Sequence, residues 1–295
     1  MPENKDTKQI LKSVRKIEIQ TRGLVEGLVQ GSDHSVFKGR GIEFSEVREY
    51  QYGDDIRTID WNVTARMDEP FIKEFIEERD LTVLIVYDAS GSVTFGSDRT
   101  KADKALECAA SLMFAAMRNN DKVGLIRFSD AIERYIPPRK GRRHVLRIIR
   151  ELMVDSKEGR GTDLAEALRF ISHVVKKRAI IFVVSDFFTS HYIPLLRPLS
   201  RRHDCIAVQV TDPAEEELPD VGYAFIEDAE TRDQVLVHTG DTAFRKAYHE
   251  RARRAQRSLE TAFKKNRIDL IRLSTDQPLH IPLSTFFRLR KRRMR

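Results

Sequence analysis

The chain has 295 residues, of which 41% are apolar, and its 52 Lys and Arg outnumber its 45 Asp and Glu to give a formal net charge of +7. This apolar content is too high for an intrinsically disordered protein, and the length suits one large domain or two small ones. Apolar runs such as Leu81 to Tyr87 fall short of the roughly 20 residues that a membrane-spanning helix needs. The polar N-terminus does not resemble a secretory signal, so we expect a cytoplasmic protein.

Two segments precede the main apolar pattern. Apolar residues recur at steps of three and four from Ile10 to Leu28, which predicts an N-terminal amphipathic helix within residues 1–30. Residues 31–80 follow, and we expect them to pack on the main domain. Their polar part from Glu43 to Met67 is predicted to be irregular, whereas Phe71 to Glu77 alternates apolar and charged side chains as a half-buried strand does.

From Leu81 onward, unbroken apolar runs alternate with helical patterns, which is typical of parallel strands covered by helices on both faces. We therefore predict an α/β domain over residues 81–275 with a doubly wound, mostly parallel sheet. Its predicted strands are Leu81 to Asp88, Val123 to Phe128, Ile132 to Ile136, Ile180 to Asp186, Ala207 to Val210 and Ile268 to Leu273. Two short strand candidates, Tyr223 to Ile226 and Gln234 to Val237, precede a helix predicted from about Thr242 to Phe263.

Residues 276–295 are predicted to form a C-terminal extension that ends in a basic tail. Six of the positive charges lie within Arg288 to Arg295, so residues 1–287 carry 46 basic against 45 acidic side chains, a net charge of +1. The tail has little apolar surface to bury, and we expect it to be disordered unless a partner binds it. The overall basicity therefore does not by itself indicate a nucleic-acid-binding protein.

Short oxygen-bearing side chains follow two of the predicted strands and precede one predicted helix. In an open parallel sheet, ligands bind outside the carboxyl ends of the strands, where these residues would meet. Carboxylates and hydroxyls are the ligands of a hard cation such as Mg²⁺, which keeps several waters. The candidate metal site consists of Asp88, Ser90, Ser92, Thr162 and Asp186. The alternative is that the serines shape a turn, that Thr162 or Asp163 caps a helix, and that Asp186 is a loop residue.

This set resembles the metal-ion-dependent adhesion site of von Willebrand factor type A domains. The resemblance implies a sheet of the von Willebrand factor A type, which is Rossmann-like, over the predicted α/β domain. It implies that Ser90, Ser92 and Thr162 bind the metal through hydroxyl oxygens, and that Asp88 and Asp186 act largely through water. It further implies Mg²⁺ or Mn²⁺ with an open position that takes an acidic side chain of a partner protein.

The segment before the α/β domain carries a second resemblance. Its motifs are Gly41-Ile-Glu43-Phe44, Arg48-Glu-Tyr50, Gly53-Asp54-Asp55-Ile-Arg57, Ile59-Asp60-Trp61 and Thr64-Ala65-Arg66. They resemble the signature of the bacterial domain-of-unknown-function family 58 (DUF58), in which this block runs directly into the Asp-x-Ser-x-Ser strand. The resemblance implies partnership with a MoxR-type AAA+ ATPase, as an adaptor or co-chaperone in the assembly or maturation of protein complexes.

The charged residues of this signature surround the only tryptophan of the chain. We interpret them as an internal network of ion pairs and hydrogen bonds around the indole, which would hold an irregular segment onto the sheet. The alternative is a direct partner-binding surface. The residues concerned are Asp54, Asp55, Arg57, Asp60, Trp61 and Arg66.

The sequence as a whole predicts a non-enzymatic, metal-dependent protein-binding module. One alternative is a Mg²⁺-dependent phosphoester hydrolase that uses Asp88 or Asp186, but the sequence shows no paired nucleophile and base. A second is a binder of nucleic acid or anionic membrane through the basic tail, although no dedicated nucleic-acid site is visible. Scattered histidines and the lack of a phosphate-binding loop argue against a zinc enzyme or an ATPase. Cys108 and Cys205 are expected to be buried thiols.

Overall fold

The structure is a computed structural model that describes residues 43–67, 69–76, 81–96, 99–153, 161–227 and 233–293. The N-terminal helix predicted within residues 1–30 lies outside the described residues. Contacts divide the chain into a small unit, Phe37–Leu81, and a larger unit that contains everything from Thr82 to the C-terminus. The expectation that the small segment packs on the main domain stays a prediction.

The small unit contains an antiparallel pair of strands, β1 (Glu43–Glu49) and β2 (Phe71–Ile76), with the helix α1 (Trp61–Met67) between them in the chain. The predicted strand at residues 71–77 is confirmed. The prediction that residues 43–67 are irregular is wrong for β1 and α1. A register shift between Phe44 and Glu46 interrupts the alternation of side chains along β1. The strand is also stabilised by its pairing with β2, which the local sequence does not reveal.

The larger unit alternates strands and helices as predicted. In chain order its elements are β3 (Thr82–Asp88), α2 (Lys101–Arg118), β4 (Lys122–Phe128), β5 (Ile132–Arg139), α3 (Arg142–Leu152), α4 (Leu164–Val174), β6 (Ile180–Ser185), α5 (Ile193–Arg202), β7 (Asp204–Thr211), α6 (Pro213–Glu216), β8 (Tyr223–Glu227), β9 (Gln234–His238), α7 (Thr242–Lys265), β10 (Asp269–Ser274) and α8 (His280–Arg293).

Within the described residues, six strands form the main sheet in the order β10-β7-β6-β3-β4-β5. All neighbouring pairs are parallel except β4 and β5, which are antiparallel. The predicted doubly wound, mostly parallel α/β sheet is therefore confirmed. Pro137 and Pro138 lie in β5, at the edge of the sheet, where a missing backbone donor is tolerated. Among the strands that the structure describes, β8 and β9 pair only with each other, as a separate two-stranded sheet.

The centre of the sheet is covered on both faces. Every side chain from Val83 to Val86 is fully buried, which explains why this strand shows no alternation of apolar and polar residues. On one face, Leu84 and Val86 belong to a core cluster with Leu164 and Leu168 of α4. Cys108 and Cys205 are free and buried, as expected.

The C-terminal extension differs from the prediction. Residues 280–293 form the helix α8, so the expectation of a disordered tail from Arg288 is wrong as far as Arg293. Arg290 is buried and pairs with Asp204 and with Asp269, the latter at 3.2 Å. Arg293 also pairs with Asp269, at 3.0 Å. Acidic side chains of β7 and β10 thus hold Arg290 and Arg293 of the basic tail in place.

The buried imidazole of His203, at the start of β7, predicts a pH-dependent stability. Only 2% of the residue is exposed, and neither ring nitrogen has a hydrogen-bond partner among the described residues. Burial, followed by the charges of Arg202 and Arg178, lowers its pKa below the usual value. Because the unfolded chain then takes up the proton more readily, the free energy of unfolding falls as the pH drops below about 6.5.

We expect His203→Leu to lose less stability than the wild type between about pH 7 and about pH 5, measured by urea unfolding. The exposed His173 supplies the control, and the change in pH dependence should be larger for His203→Leu than for His173→Leu. An unaltered pH dependence in His203→Leu would contradict the assignment.

Candidate metal site

The candidate site lies where the strand order of the sheet reverses. The strands β3 and β6 are neighbours in the sheet, and the chain proceeds from them toward opposite edges. Such a switch point leaves a crevice at the carboxyl ends of the two strands. Asp88 is the last residue of β3, and Asp186 follows Ser185, the last residue of β6. The topology therefore brings the two predicted carboxylates to one place.

Asp88 is held by hydrogen bonds from both loops. Its Oδ1 accepts the backbone N–H of Ser90 at 3.0 Å, and its Oδ2 accepts the hydroxyl of Ser185 at 2.6 Å. The hydroxyl oxygens of Ser90 and Ser92 lie 3.1 Å apart. The Asp-x-Ser-x-Ser motif thus forms one cluster, and Ser185 is a member that sequence reasoning missed, although it directly precedes Asp186.

The environment of Asp88 disfavours a bare negative charge. The residue is 1% exposed, and burial, followed by repulsion from Asp186, raises the pKa of its carboxyl to about 6. The hydrogen bonds from Ser185 and Ser90 lower the pKa and offset part of this effect. The site therefore places the buried carboxyl group of Asp88 beside a second buried carboxyl group, that of Asp186, whose charge repels it.

A buried ammonium group already neutralises part of this charge. Lys101, 1% exposed, donates from Nζ to Asp186 Oδ2 at 2.8 Å and to Glu215 Oε1 of α6 at 2.6 Å. Burial acts to lower the pKa of Lys101, but the two carboxylates outweigh it and raise the pKa. Lys101 and Glu215 were not predicted. The available signal was a lysine in the first turn of α2, where the helix dipole disfavours a cation.

The loop that contains Thr162 reaches the same end of the sheet. The backbone N–H of Asp163 donates to the carbonyl oxygen of Ser129, just beyond β4, at 2.7 Å. The carbonyl oxygen of Thr162 accepts the hydroxyl of Thr189, from the loop after β6, at 3.3 Å. Asp163 caps α4 by accepting the N–H of Glu166 at 2.9 Å. The capping alternative thus describes Asp163, and the role of Thr162 as a metal ligand stays a prediction.

The donor set fits a divalent cation by charge and by chemistry. When ionised, the carboxylates of Asp88, Asp186 and Glu215 together with the ammonium of Lys101 carry a net charge of −2. The neighbouring hydroxyls of Ser90 and Ser92 are neutral oxygen donors, as Mg²⁺ and Mn²⁺ prefer. Within the part of the chain that the structure describes, no three His, Cys, Asp or Glu side chains converge as a metal cluster. A cation here would therefore need hydroxyl and water ligands.

The signature residues of the small unit have a different arrangement from the one predicted. Arg48 binds Asp54 through two hydrogen bonds of 2.8 and 2.9 Å, which lower the pKa of Asp54. Asp55 accepts the N–H of Arg57 in a short 3-10 turn, and Asp60 accepts the N–H of Asn62 at the start of α1. The exposed signature side chains are Asp55, Arg57, Arg66 and Trp61, the last with 69% of its surface accessible. The prediction of a network around a central indole is therefore wrong, because Trp61 is exposed. The aspartates instead fix backbone turns.

The model of a family described as "Protein of unknown function DUF58" matches residues 46–258. The chain belongs to this family. The DUF58 chain is 32% identical over 230 residues to the uncharacterized protein Rv1480 of Mycobacterium tuberculosis, covering 77% of this chain and 73% of that protein. The same values hold for the uncharacterized protein Mb1516 of Mycobacterium bovis. The predicted family resemblance is confirmed.

Solved structures with a similar arrangement are more distant. An aerotolerance-related membrane protein from Bacteroides fragilis is 16% identical, with a TM-score of 0.49 over 72% of the DUF58 chain and all of that chain. Proximal thread matrix protein 1 from the mussel byssus, solved with a zinc-occupied MIDAS motif, is 14% identical, with a TM-score of 0.38 over 71% of this chain and 46% of that one. Across the described residues, no helix combines the length and apolarity needed to cross a bilayer.

Proposed function

We propose that this DUF58 protein is a non-enzymatic protein-binding module whose binding depends on a divalent metal ion. The observation that carries the proposal is the buried site at the switch point, where Asp88, Asp186 and Glu215 exceed the charge of Lys101 by two. A net charge of −2 at a largely buried site is costly without a cation. The hydroxyls of Ser90 and Ser92 beside them supply neutral oxygen donors.

Each residue of the site has a distinct role in this proposal. Ser90, Ser92 and Thr162 would hold Mg²⁺ or Mn²⁺ through their hydroxyl oxygens, with Asp88 and Asp186 acting through water. When bound, the cation supplies a positively charged open position for a partner's carboxylate. Ser185 keeps Asp88 oriented through its 2.6 Å hydrogen bond. Because hydroxyl ligands add no charge, the site retains affinity for an additional anion.

The partner that this proposal assigns is a MoxR-type AAA+ ATPase or a client protein of that ATPase, in the cytoplasm. Two things support this partner: the chain belongs to the DUF58 family, and the resemblance of its motifs to the signature of that family implies partnership with such an ATPase. In this role the chain acts as an adaptor or co-chaperone during the assembly or maturation of a protein complex, and an acidic side chain of the partner completes the metal site.

Metal binding is tested by replacing the central carboxylate. We expect Asp88→Asn to bind Mg²⁺ about 10- to 100-fold more weakly than the wild type, because the variant loses one of the anions around the ion. In the wild type, Mg²⁺ at about 100 times its Kd should raise the free energy of unfolding by roughly 2.7 kcal/mol. Titration calorimetry and urea unfolding measure the two effects.

Asp130→Asn is the matched control, since Asp130 is an exposed carboxylate at the same end of the sheet. Its Mg²⁺ affinity should equal that of the wild type. Partner binding is then tested by purifying the chain with its ATPase in Mg²⁺ or in chelator. A complex that survives both the chelator and Asp88→Asn would remove the metal from the mechanism.

A further inference from the structure

A groove extends from the candidate metal site along the helix α7. It has a volume of about 740 Å³ and lies between α7 and the loop Asp186–Ile193 that follows β6. Gln209 and Thr211 of β7 also line it. Since Asp186 belongs both to the groove and to the metal site, a ligand that fills the groove lies next to the metal.

The wall formed by α7 contains an apolar row with small side chains. Ala252, Ala255 and Leu259 line the groove at steps of three and four, so they share one face of the helix. Of the residues of α7, all of which the structure describes, only Phe263 is buried. Opposite this wall, Phe188 is 65% exposed. An exposed aromatic ring facing a row of small side chains leaves room for apolar side chains of a ligand.

The charge of α7 indicates the sign of that ligand. The helix carries eight Lys or Arg residues and two Glu, a net charge of +6. Both glutamates have basic partners, because Glu250 pairs with Arg254 and Glu260 pairs with Arg272. Arg251 is exposed, lines the groove and makes no ion pair with any described residue. Glu215 and Glu216 also line the groove, but they pair with Lys101 and Arg272. An acidic ligand would therefore meet Arg251 and the positive field of the helix.

We infer that this groove is the docking surface for an acidic segment of a partner protein that also carries apolar side chains. The inference rests on the proposed function and identifies the partner's chemistry: one carboxylate lies at the metal, others lie near Arg251, and apolar side chains fill the space beside Ala255 and Phe188. A nucleic acid would satisfy the arginines but would not account for the apolar wall.

The test uses a fluorescein-labelled peptide in which Glu alternates with Leu and Phe, added to the full chain in Mg²⁺ and followed by fluorescence anisotropy. Arg251→Glu should weaken binding by about tenfold or more. Arg253→Glu is the matched control, because Arg253 is equally exposed on α7 but does not line the groove. A second variant, Ala255→Phe, fills the groove from an exposed position and should also weaken binding about tenfold.

The result that supports the inference is a selective loss in Arg251→Glu and Ala255→Phe, with no binding of a control peptide that has Lys in place of Glu. Equal losses in Arg251→Glu and Arg253→Glu overturn it, because bulk charge then explains the binding. Absence of peptide binding by the wild type overturns it as well, as does tighter binding of a single-stranded oligonucleotide.

The same measurements separate the groove from the metal. Peptide binding that is lost in Arg251→Glu but unaffected by chelator and by Asp88→Asn upholds the groove and contradicts metal dependence. The opposite result is that Mg²⁺ still binds, but neither Arg251→Glu nor Ala255→Phe changes the peptide affinity. That result upholds the metal site and overturns the proposal that the groove binds the peptide.

Discussion

Replacing Lys101 with Met is expected to lower the free energy of unfolding by about 3–5 kcal/mol in the metal-free protein. The substitution keeps the length of the side chain and removes the cation that donates to Asp186 at 2.8 Å and to Glu215 at 2.6 Å. Asp186 is buried and Glu215 is half-buried, so neither carboxylate regains full hydration. Urea unfolding in the presence of a chelator measures the loss.

The neighbouring Lys104 provides the control for this experiment. It is also buried on α2, but it donates to the backbone carbonyl oxygen of Gln277, and burial lowers its pKa. Lys104→Met removes one hydrogen bond and relieves a buried charge, so we expect a cost of about 1 kcal/mol or less. Equal losses in the two variants would contradict a specific role for Lys101.

Mg²⁺ should act more strongly on Lys101→Met than on the wild type. Without the ammonium group, the three carboxylates of the site carry a net charge of −3, and an added divalent cation relieves more repulsion. The stability that Mg²⁺ restores to Lys101→Met should therefore exceed the stabilisation that it gives the wild type. If Mg²⁺ stabilises both proteins equally, Lys101 does not share the site with the metal.

Phe263→Ala is the second substitution for which we expect a large effect, a loss of about 3–5 kcal/mol in the free energy of unfolding. Phe263 is the buried anchor of α7, and its ring centroid lies 5.2 Å from that of Phe187 and 6.2 Å from that of Tyr192. These two rings belong to the loop on the opposite side of the groove. Removal of the Phe263 ring leaves a cavity beside Phe187 and Tyr192 and weakens the contact between α7 and the loop.

Urea unfolding measures the loss, and amide hydrogen exchange along α7 locates it. Phe244→Ala is the control, because Phe244 is exposed near the other end of the same helix and should cost about 1 kcal/mol or less. Exchange along α7 should accelerate in Phe263→Ala alone. If exchange is unchanged in a destabilised variant, the anchor does not hold the helix in place.

The amino-acid pattern was sufficient to predict most of the fold. Long apolar runs such as Val83 to Val86 are buried on both faces, and this property is written in consecutive residues. The strand order could not be predicted, because residue patterns state that a strand is covered and do not state which strands pair. The strand β1 shows the same limit, since it pairs with β2, which lies beyond an intervening helix in the chain.

The candidate site also contains some residues that the sequence could predict and others that it could not. Asp88, Ser90 and Ser92 lie within five residues, so their proximity follows from one turn after one strand. Lys101 is 85 residues from Asp186 and 114 residues from Glu215, and no spacing in the sequence links them. The signal in the sequence was a lysine at the first position of a helix, where its charge opposes the helix dipole.

The order of the C-terminal tail also depends on contacts between residues that are distant in the sequence. Its composition, rich in arginine and poor in apolar residues, predicts disorder, because composition measures only what a segment can bury by itself. Arg290 instead pairs with Asp204 and Asp269, which the fold brings to the edge strand and its neighbour from 86 and 21 residues away. By itself the sequence determined most elements of the large sheet, the α/β class and the polar residues at the ends of the strands, since these depend on local periodicity. Only the tertiary structure decided which charges meet, because an ion pair between distant residues exists only once the chain has folded.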